Sequence, residues 1–337
     1  MTTGTLTIDL PAIRANWRAL SGVAGFPAGA VVKADAYGLG VPAVVPALWE
    51  AGARDFYVAV ASEGAAVRSA APEARIFVFS GHMDGDAGAI REHGLIALLN
   101  SPEQWRRHRD TGLPYGVQVD TGMARLGMQP ADWSALRGEM DPVLVMSHLA
   151  CADEPDHPQN AAQLRAFREM TDGSVPRSLA ATGGTLLGPD YAFDAVRPGI
   201  GLYGGAPFAK AAPVVRLSLP VVQIRTISTG ASVGYGASWT AQRETRVATL
   251  SGGYADGLIR AMSNGATLWH DETPCPLIGR VSMDLLTVDI TDANGEPDAL
   301  DIICPEQGID ALADAAGTIG YEILTSLGNR YSRAIVA

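Results

Sequence analysis

Short apolar runs alternate with helix-like stretches over the first two-thirds of the chain. This alternation is compatible with only a few fold classes. Most of the runs are continuously apolar, as expected for parallel strands that are buried on both faces. Eight such runs separated by helices predict an α/β fold, a (β/α)8 TIM barrel. The predicted strands are residues 30–33, 56–60, 76–79, 95–99, 115–120, 143–148, 178–181 and 193–197.

The alternative to a barrel is a doubly wound open sheet. A dinucleotide-binding version of that fold carries G-x-G-x-x-G after its first strand, and this sequence has no such motif there. Between the apolar runs, residues 41–50 and 158–170 have the composition and spacing of helices.

The pattern changes near residue 213, where short strand candidates are separated by Gly, Pro and Asn turns. We predict a barrel over residues 9–212, which would hold the active site, and a mainly β domain over 213–337. The strand-like N-terminal segment, residues 1–8, is expected to join the second domain. Predicted strands of that domain are 214–227, 246–250, 267–268, 277–281 and 285–290, and predicted helices are 309–317 and 319–327.

Composition excludes several classes of protein. Of the 337 residues, 47% are hydrophobic, which rules out a disordered chain. The net charge of -11 argues against binding to nucleic acid or to an anionic membrane surface. Three cysteines without a C-x-x-C pair indicate a reducing compartment, and no secretory signal or spanning segment is evident. We therefore expect a cytoplasmic protein, and the scattered histidines give no support for a metal site.

Lys33 is the first chemical candidate. It ends the first apolar run, so it falls at the face of the barrel where active sites form. A desolvated lysine has a lowered pKa, and its amine then forms Schiff bases readily. The alternative is a lysine that merely extends its charged end to water. Tyr37, Gly38 and Gly40 follow and suit a tight strand-to-helix turn.

The sequence around Lys33, VVKADAYGLG, resembles the lysine signature of alanine racemases, which are two-domain isomerases of fold type III that use pyridoxal phosphate (PLP). The similarity continues in order along nearly the whole chain. Its further motifs are DTGMARLG (120–127), SHLACAD (147–153), RPGIGLYG (197–204), VGYGASW (233–239), GYADG (253–257), GRVSMD (279–284) and YEIL (321–324).

The resemblance implies a set of residues around PLP. Lys33 would form the covalent link, and glycine-rich loops after strands seven and eight would hold the phosphate. In the family an arginine, here Arg197, faces the pyridine nitrogen; because guanidinium only donates, it favours racemisation over transamination. The complete implied set is Lys33, Tyr37, His148, Thr182, Arg197, Gly199, Ile200 and Tyr254.

Racemisation needs two acid/base groups on opposite faces of Cα. By resemblance, Lys33 serves the D-enantiomer and Tyr235 the L-enantiomer. Arg125 and the backbone N–H of Met283 would bind the substrate carboxylate, and Tyr321 would narrow the entrance. Tyr235 and Met283 are expected to come from the other subunit of a homodimer. The implied activity is interconversion of L- and D-alanine, supplying D-alanine for peptidoglycan.

The sequence departs from the family at several positions. Gln118 stands where many members carry a carbamylated lysine that orients the arginine, here Arg125. An amide oxygen could accept from Arg125 but carries no charge. Further departures are Leu39, Ala181, Ser282 and the segment 330–333.

Other functions remain open at this point. A broader amino-acid racemase acting on serine and a decarboxylase share this architecture, and Arg197 argues against the decarboxylase. A non-catalytic PLP carrier lacks the second domain that residues 213–337 would form. A cofactor-free aldolase is disfavoured by the glycine-rich loops.

Overall fold

The computed structural model describes residues 4–337, whose contacts divide them into two compact units. One unit contains Ile13–Leu202 and Ala206–Ala211. The other contains residues 4–12, Tyr203–Gly205 and Ala212–Ala337. Residues 1–3 of the segment expected to join the second domain lie outside the described residues. The domain ranges 9–212 and 213–337 stay predictions.

Strand β1 (Thr5–Asp9) belongs to the second unit, and seven parallel strands follow it in the first. Each of the seven pairs with the next along the chain, so they form one sheet in sequence order. They are β2 (Ala30–Val31), β3 (Asp55–Val58), β4 (Arg75–Val78), β5 (Ile96–Leu99), β6 (Tyr115–Gln118), β7 (Val145–Met146) and β8 (Arg177–Ser178).

The predicted eighth strand, residues 193–197, does not form a regular ladder, but the segment closes the barrel. Val196 and Pro198 accept hydrogen bonds on one side from Gly29 and Val31, at 2.9 and 3.0 Å. On the other side the Arg197 N–H donates to the Ala180 carbonyl at 2.8 Å. A regular strand is prevented at both ends, because Phe193 has a φ of 50° and Pro198 has no N–H to donate. The (β/α)8 architecture is therefore confirmed.

Helices follow the strands as the alternation predicts, and several begin with local sequence signals. Pro occupies the first turn where helices start at residues 41, 102, 130 and 158, since its missing N–H is not needed there. The helices of this part are Leu10–Ala24, Lys33–Tyr37, Val41–Ala51, Gly64–Ala70, Ala87–Glu92, Pro102–His108, Pro130–Leu136, Pro158–Met170, Thr182–Leu186 and Pro189–Ala192, with 3₁₀ turns at Ala61–Glu63, Arg137–Glu139 and Ile200–Tyr203.

Aromatic rings fill part of the barrel interior. Tyr57 stacks on Phe77 and Phe79, with ring centroids 4.8 and 5.6 Å apart. Gly29 allows this packing, because a Cβ there would lie 2.7 Å from the Tyr57 ring. All four residues of β5 are buried, and burying a large aliphatic side chain contributes roughly 1.5–3 kcal/mol. The strands are therefore held by apolar contacts on both faces.

The second unit is built on a mixed sheet around the long strand β9 (Val215–Ile227). β9 pairs with β1 and β16 through its first half and with β12 through its second. The remaining strands are β10 (Ser232–Val233), β11 (Trp239–Thr240), β12 (Thr245–Ser251), β13 (Thr267–His270), β14 (Thr273–Pro276), β15 (Leu285–Asp289), β16 (Ala299–Ile303) and β17 (Ser332–Val336).

β1 lies between β9 and β17, parallel to β17, so both ends of the described chain belong to this sheet. Alternate side chains of the sheet are buried, among them Leu6, Leu217 and Val288. Two helices, Ile309–Ala316 and Gly320–Ser326, agree with the predicted ones within about a residue or two at each end. Short 3₁₀ turns lie at Tyr235–Ala237, Tyr254–Asp256 and Arg260–Met262.

One predicted strand of this unit, residues 277–281, is wrong. The ladder runs through β14 instead, and Leu277 makes a single bridge to Val288. Gly279 then takes a φ of 77°, which turns the chain out of the extended conformation. Strands β10, β11, β14, β16 and β17 were not predicted from the sequence.

In the part of the chain from residue 4 onward, no helix is long and apolar enough to cross a membrane.

Candidate active site

Lys33 follows β2 at the carboxyl end of the barrel strands, where the sequence places it. Burial lowers the pKa of its amine, and the nearby cation Arg125 lowers it further, while Glu63 acts in the opposite direction. A lowered pKa increases the fraction of neutral amine at physiological pH. Lys33 therefore has the surroundings of a nucleophile.

The turn that Lys33 begins has an unusual backbone. Residues 34–37 all have φ between 52° and 57°, so this short helix is left-handed although none of its residues is glycine. Such a conformation costs roughly 1–2 kcal/mol per residue. The sequence predicts only the tight turn at Gly38 and Gly40, which have φ values of 80° and 102°. The turn brings the buried Tyr37 ring against Gly199.

A cradle for an anion lies at the ends of β8 and the closing segment. The Thr182 Oγ1 accepts hydrogen bonds from the backbone N–H of Gly199 at 3.1 Å and of Gly201 at 3.2 Å. A Cβ at Gly199 would lie 2.3 Å from the Tyr37 hydroxyl, and one at Gly201 would lie 2.6 Å from Thr182 Cγ2. Ile200 begins the 3₁₀ turn between them. The hydroxyls of Thr182 and Tyr37 and closely packed glycine backbone thus converge at this point, and surroundings of this kind suit a phosphate.

Arg197 is buried in the barrel, with 1% of its surface exposed. Its guanidinium donates to the Ser178 hydroxyl at 2.5 Å and to the Ser147 carbonyl at 2.7 Å. Burial lowers the pKa of Arg197 to about 10, so it remains a cation at neutral pH. A third, longer hydrogen bond goes to the Leu179 carbonyl at 3.5 Å. No carboxylate pairs with Arg197 among residues 4–337, and the other two of its five N–H groups make no hydrogen bond to them.

His148 follows β7 and is neutral. Burial lowers its pKa to about 3, and the cations Arg197, Arg125 and Lys33 contribute to this shift. Gln163, which is fully buried, donates to the His148 carbonyl at 2.9 Å and so fixes the backbone there. A neutral imidazole can stack on an aromatic ring or accept a hydrogen bond.

The lowered pKa of His148 predicts a loss of stability in acid. The unfolded histidine has a pKa of 6.5, so below that pH protons bind the unfolded chain preferentially. This contribution is fully present above pH 6.5 and is lost as the pH falls toward 3, amounting to about 5 kcal/mol. We expect the free energy of unfolding to fall less steeply with pH in His148→Asn than in the parent, measured by urea denaturation from pH 7 to pH 4. Parallel curves would contradict this assignment.

Arg125 is exposed, and the structure gives it no hydrogen bond or ion pair with the described residues. The loop that carries it is organised by Asp120, whose Oδ1 accepts from the N–H groups of residues 122–124 at 2.9–3.2 Å. Gln118 donates to the Leu126 carbonyl at 3.1 Å, and no bond joins it to Arg125 within residues 4–337. The guanidinium is therefore available to an external carboxylate.

These side chains share a cavity of about 470 Å³ at the mouth of the barrel. Lys33, Arg125, Gln118 and His148 line it together with apolar residues from the ends of β3, β4 and β7. Two cations and a neutral histidine around such a volume suit a small anionic ligand. Of the predicted residues of the barrel unit, Lys33, Arg125 and His148 line this cavity. Tyr37, Thr182, Gly199 and Ile200 lie together in the separate cradle described above.

The other predicted residues lie in the second unit. Tyr235 begins the turn between β10 and β11 and is 73% exposed. Tyr254 and Met283 are also exposed, and Tyr321 lies in the helix Gly320–Ser326.

The loops of Tyr254 and Met283 are joined to each other. The Tyr254 N–H donates to the Ser282 carbonyl at 3.0 Å. Asp256, fully buried, accepts two hydrogen bonds from the Arg330 guanidinium at 2.6 and 2.8 Å, and Arg330 also donates to Asp284 at 2.9 Å. This network fixes the positions of both candidate residues within the unit.

Sequence reasoning missed the residues that support the site. Gln163, Ser147, Ser178, Glu63 and Arg330 act through hydrogen bonds to backbone or to other side chains. Such contacts leave no periodic pattern in a sequence. Arg330 alone had a signal, since the sequence analysis noted an unusual segment at 330–333.

Comparisons of the chain with family models, with curated proteins and with solved structures all lead to the same family. The family model for the alanine racemase N-terminal domain matches residues 8–207, and that for the C-terminal domain matches 214–335. The chain is 63% identical to the alanine racemase of Jannaschia sp. (strain CCS1), covering 99% of each chain. It is 44% identical to a catabolic alanine racemase of Agrobacterium fabrum, covering 99% of this chain and 92% of that one. The crystal structure of alanine racemase from Bartonella henselae with covalently bound pyridoxal phosphate superimposes with a TM-score of 0.93 at 36% identity, covering both chains completely.

Proposed function

This chain belongs to the alanine racemase family of isomerases, and we propose that it interconverts L- and D-alanine with PLP attached to Lys33. The observation that carries the proposal is the Lys33 amine, with its lowered pKa, in the same cavity as Arg125. An amine that reacts with an aldehyde and a guanidinium that binds a carboxylate are what an amino-acid racemase of this kind needs.

The residues present fit PLP. We assign the phosphate to the cradle of Thr182, Gly199, Ile200 and Tyr37, where a Cβ at residue 199 would clash with the Tyr37 hydroxyl. Tyr254 is assigned to the phosphate by the family resemblance, and His148 to the ring. When bound, PLP withdraws electrons from the substrate Cα and makes its hydrogen acidic.

Arg197 directs the outcome of the reaction. Its pKa of about 10 keeps it protonated, so it would donate a hydrogen bond to the pyridine nitrogen of bound PLP without transferring a proton. Arg197 would in this way limit how strongly PLP withdraws electrons. A proton that leaves Cα would then return to Cα rapidly, which favours racemisation over transamination.

Two residues of this chain would move the proton. Lys33 would remove and return it on the face used by D-alanine, and Tyr235 on the face used by L-alanine. The exposure of Tyr235 on its turn is consistent with its acting in the partner subunit of a homodimer.

The substrate carboxylate would bind Arg125 and the Met283 N–H. Arg125 has no carboxylate partner, and the Met283 N–H makes no backbone hydrogen bond, among residues 4–337. Tyr321 would narrow the entrance. Because position 118 is glutamine, no carbamate can form there to orient the guanidinium, and Asp120 fixes only the backbone of the loop that carries Arg125.

We further propose that the product D-alanine serves peptidoglycan synthesis, that the enzyme is a cytoplasmic homodimer, and that residues 9–212 and 213–337 are its domains. Support for the first comes from the family resemblance alone. Since one relative is a catabolic alanine racemase, breakdown of D-alanine is the competing role. A requirement for added D-alanine after deletion of the gene from its host would support the biosynthetic role, whereas loss of growth on D-alanine as the carbon source would support breakdown.

The activity is tested by incubating the enzyme with L-alanine, and separately with L-serine, in heavy water. We expect L-alanine to become an equal mixture of enantiomers with deuterium at Cα, because each inversion takes its proton from solvent through Lys33 or Tyr235. Faster exchange and inversion of serine would instead identify a broader racemase. If neither alanine nor serine gains deuterium at Cα, the proposed function is refuted. The remaining interpretation would then be a non-catalytic PLP carrier.

A further inference from the structure

We propose that Glu63 is a positioning residue for Lys33: its carboxylate joins the backbone after β2 to the backbone after β3 and fixes the turn that carries the lysine. This inference rests on the function proposed above. It assigns a role to a residue that lies outside the motifs quoted above.

The geometry uses both oxygens of the carboxylate. Glu63 ends the 3₁₀ turn Ala61–Glu63. Its Oε1 accepts from the Ala34 N–H at 2.8 Å, and its Oε2 accepts from the Ala59 N–H at 2.7 Å. Ala34 is the residue after Lys33, and Ala59 lines the same cavity as Lys33. Hydrogen bonds to an ionised acceptor are stronger than neutral ones, so this is a firm link between the two segments.

The hydrogen bond from Ala34 to Glu63 lies at the start of the segment with unfavourable backbone angles. Ala34 is the first of the four consecutive residues with left-handed φ, which is unfavourable for any residue with a Cβ. The far end of the turn is held by Asp35, whose Oδ1 accepts from the Val41 N–H at 2.8 Å. Glu63 holds the near end, next to the lysine. Without it, the Ala34 N–H loses its partner, and the turn loses one of the two carboxylates, Glu63 and Asp35, that hydrogen-bond to backbone there.

The charge of Glu63 acts on the same amine. Burial and Arg125 both lower the pKa of Lys33, and Glu63 raises it. The lysine therefore lies between one cation and one anion that oppose each other. A lysine that must be neutral to attack an aldehyde, and protonated to return a proton, depends on this balance.

The test compares Glu63→Gln with Glu73→Gln. The first substitution nearly preserves the size of the side chain but removes its charge and leaves one acceptor oxygen. Glu73 is exposed and precedes β4 at the opposite end of the barrel, so it serves as the matched control.

Each full-length enzyme is freed of cofactor and resupplied with PLP, and the rate of attachment is followed by visible absorbance across pH. For Glu63→Gln we expect the midpoint of this profile to move to lower pH, kcat to fall about 10–100-fold, and KM to stay within about twofold. Glu73→Gln should match the parent in all three.

A second substitution separates backbone strain from charge. Glycine adopts left-handed φ without a steric cost, so Ala34→Gly in the Glu63→Gln background should recover most of any lost thermal stability. It should leave the pH midpoint low, because the charge is still missing. If Glu63→Gln alone does not fold, the double variant takes its place in the pH measurement.

A midpoint and a kcat equal to those of the parent, in Glu63→Gln or in the folded double variant, would overturn the proposal. Failure of the proposed function has a different signature, since the parent enzyme itself would then attach no PLP or racemise no alanine.

Discussion

Tyr235→Phe is expected to keep its PLP and to lose racemisation by about 10³-fold or more. The substitution removes only a hydroxyl group from a side chain that is 73% exposed, so the fold should persist. A general acid/base typically contributes about 10²–10⁴-fold, and here no other group is proposed for the L-face. The measurement is the rate of enantiomer conversion in both directions, with visible absorbance as the check on cofactor.

Isotope exchange follows proton removal on each face of Cα separately. In heavy water, Tyr235→Phe should still introduce deuterium into D-alanine, because Lys33 can remove and return a proton on that face, but little L-alanine should form. L-alanine should remain largely unlabelled. Tyr115→Phe is the matched control: Tyr115 begins β6 at the other end of the barrel, and its hydroxyl accepts from the Asp141 N–H. Normal turnover by Tyr235→Phe would contradict the two-base scheme.

Lys33→Ala is expected to abolish both the covalent attachment of PLP and the racemase activity. The amine is proposed both as the attachment point and as the acid/base for the D-face, so its loss removes two functions together. Activity should fall by at least about 10⁴-fold, measured by conversion of either enantiomer.

The second lysine of the chain provides a control for Lys33→Ala. The sequence contains two lysines, Lys33 and the exposed Lys210. Lys210→Ala should retain the visible absorbance and the activity of the parent. Full retention of covalently bound cofactor by Lys33→Ala would show that the attachment point lies elsewhere.

The barrel could be predicted because its strands are buried on both faces and therefore read as apolar runs. Where the backbone departs from regular geometry, the sequence analysis was incomplete. The closing segment fails as a strand because of the left-handed Phe193 and of Pro198, and neither effect changes its apolar pattern. In the second unit, strands as short as β10 and β11 carry too few residues for alternation to be visible.

Only part of the active site could be predicted from the sequence. Lys33 could be found from its place at the end of a buried run, and the glycine-rich loops indicated close approach of backbone to a ligand. The left-handed turn at Ala34–Tyr37 could not be found, since nothing in the residues Ala, Asp, Ala and Tyr favours it. It is maintained by tertiary contacts from Glu63 and within the turn by Asp35. The roles of Tyr235, Met283 and Tyr254 come from the family resemblance and stay predictions.

Whether PLP is attached to Lys33 is tested most directly by finding which residue of the chain carries the cofactor. The purified enzyme is treated with borohydride to make the link permanent, digested, and analysed by mass spectrometry. We predict that the reduced pyridoxyl phosphate group is found on the peptide containing Lys33 and not on the peptide containing Lys210. A group on Lys210 or on the terminal amine, or no group at all, would contradict the central claim that the Lys33 amine holds the cofactor.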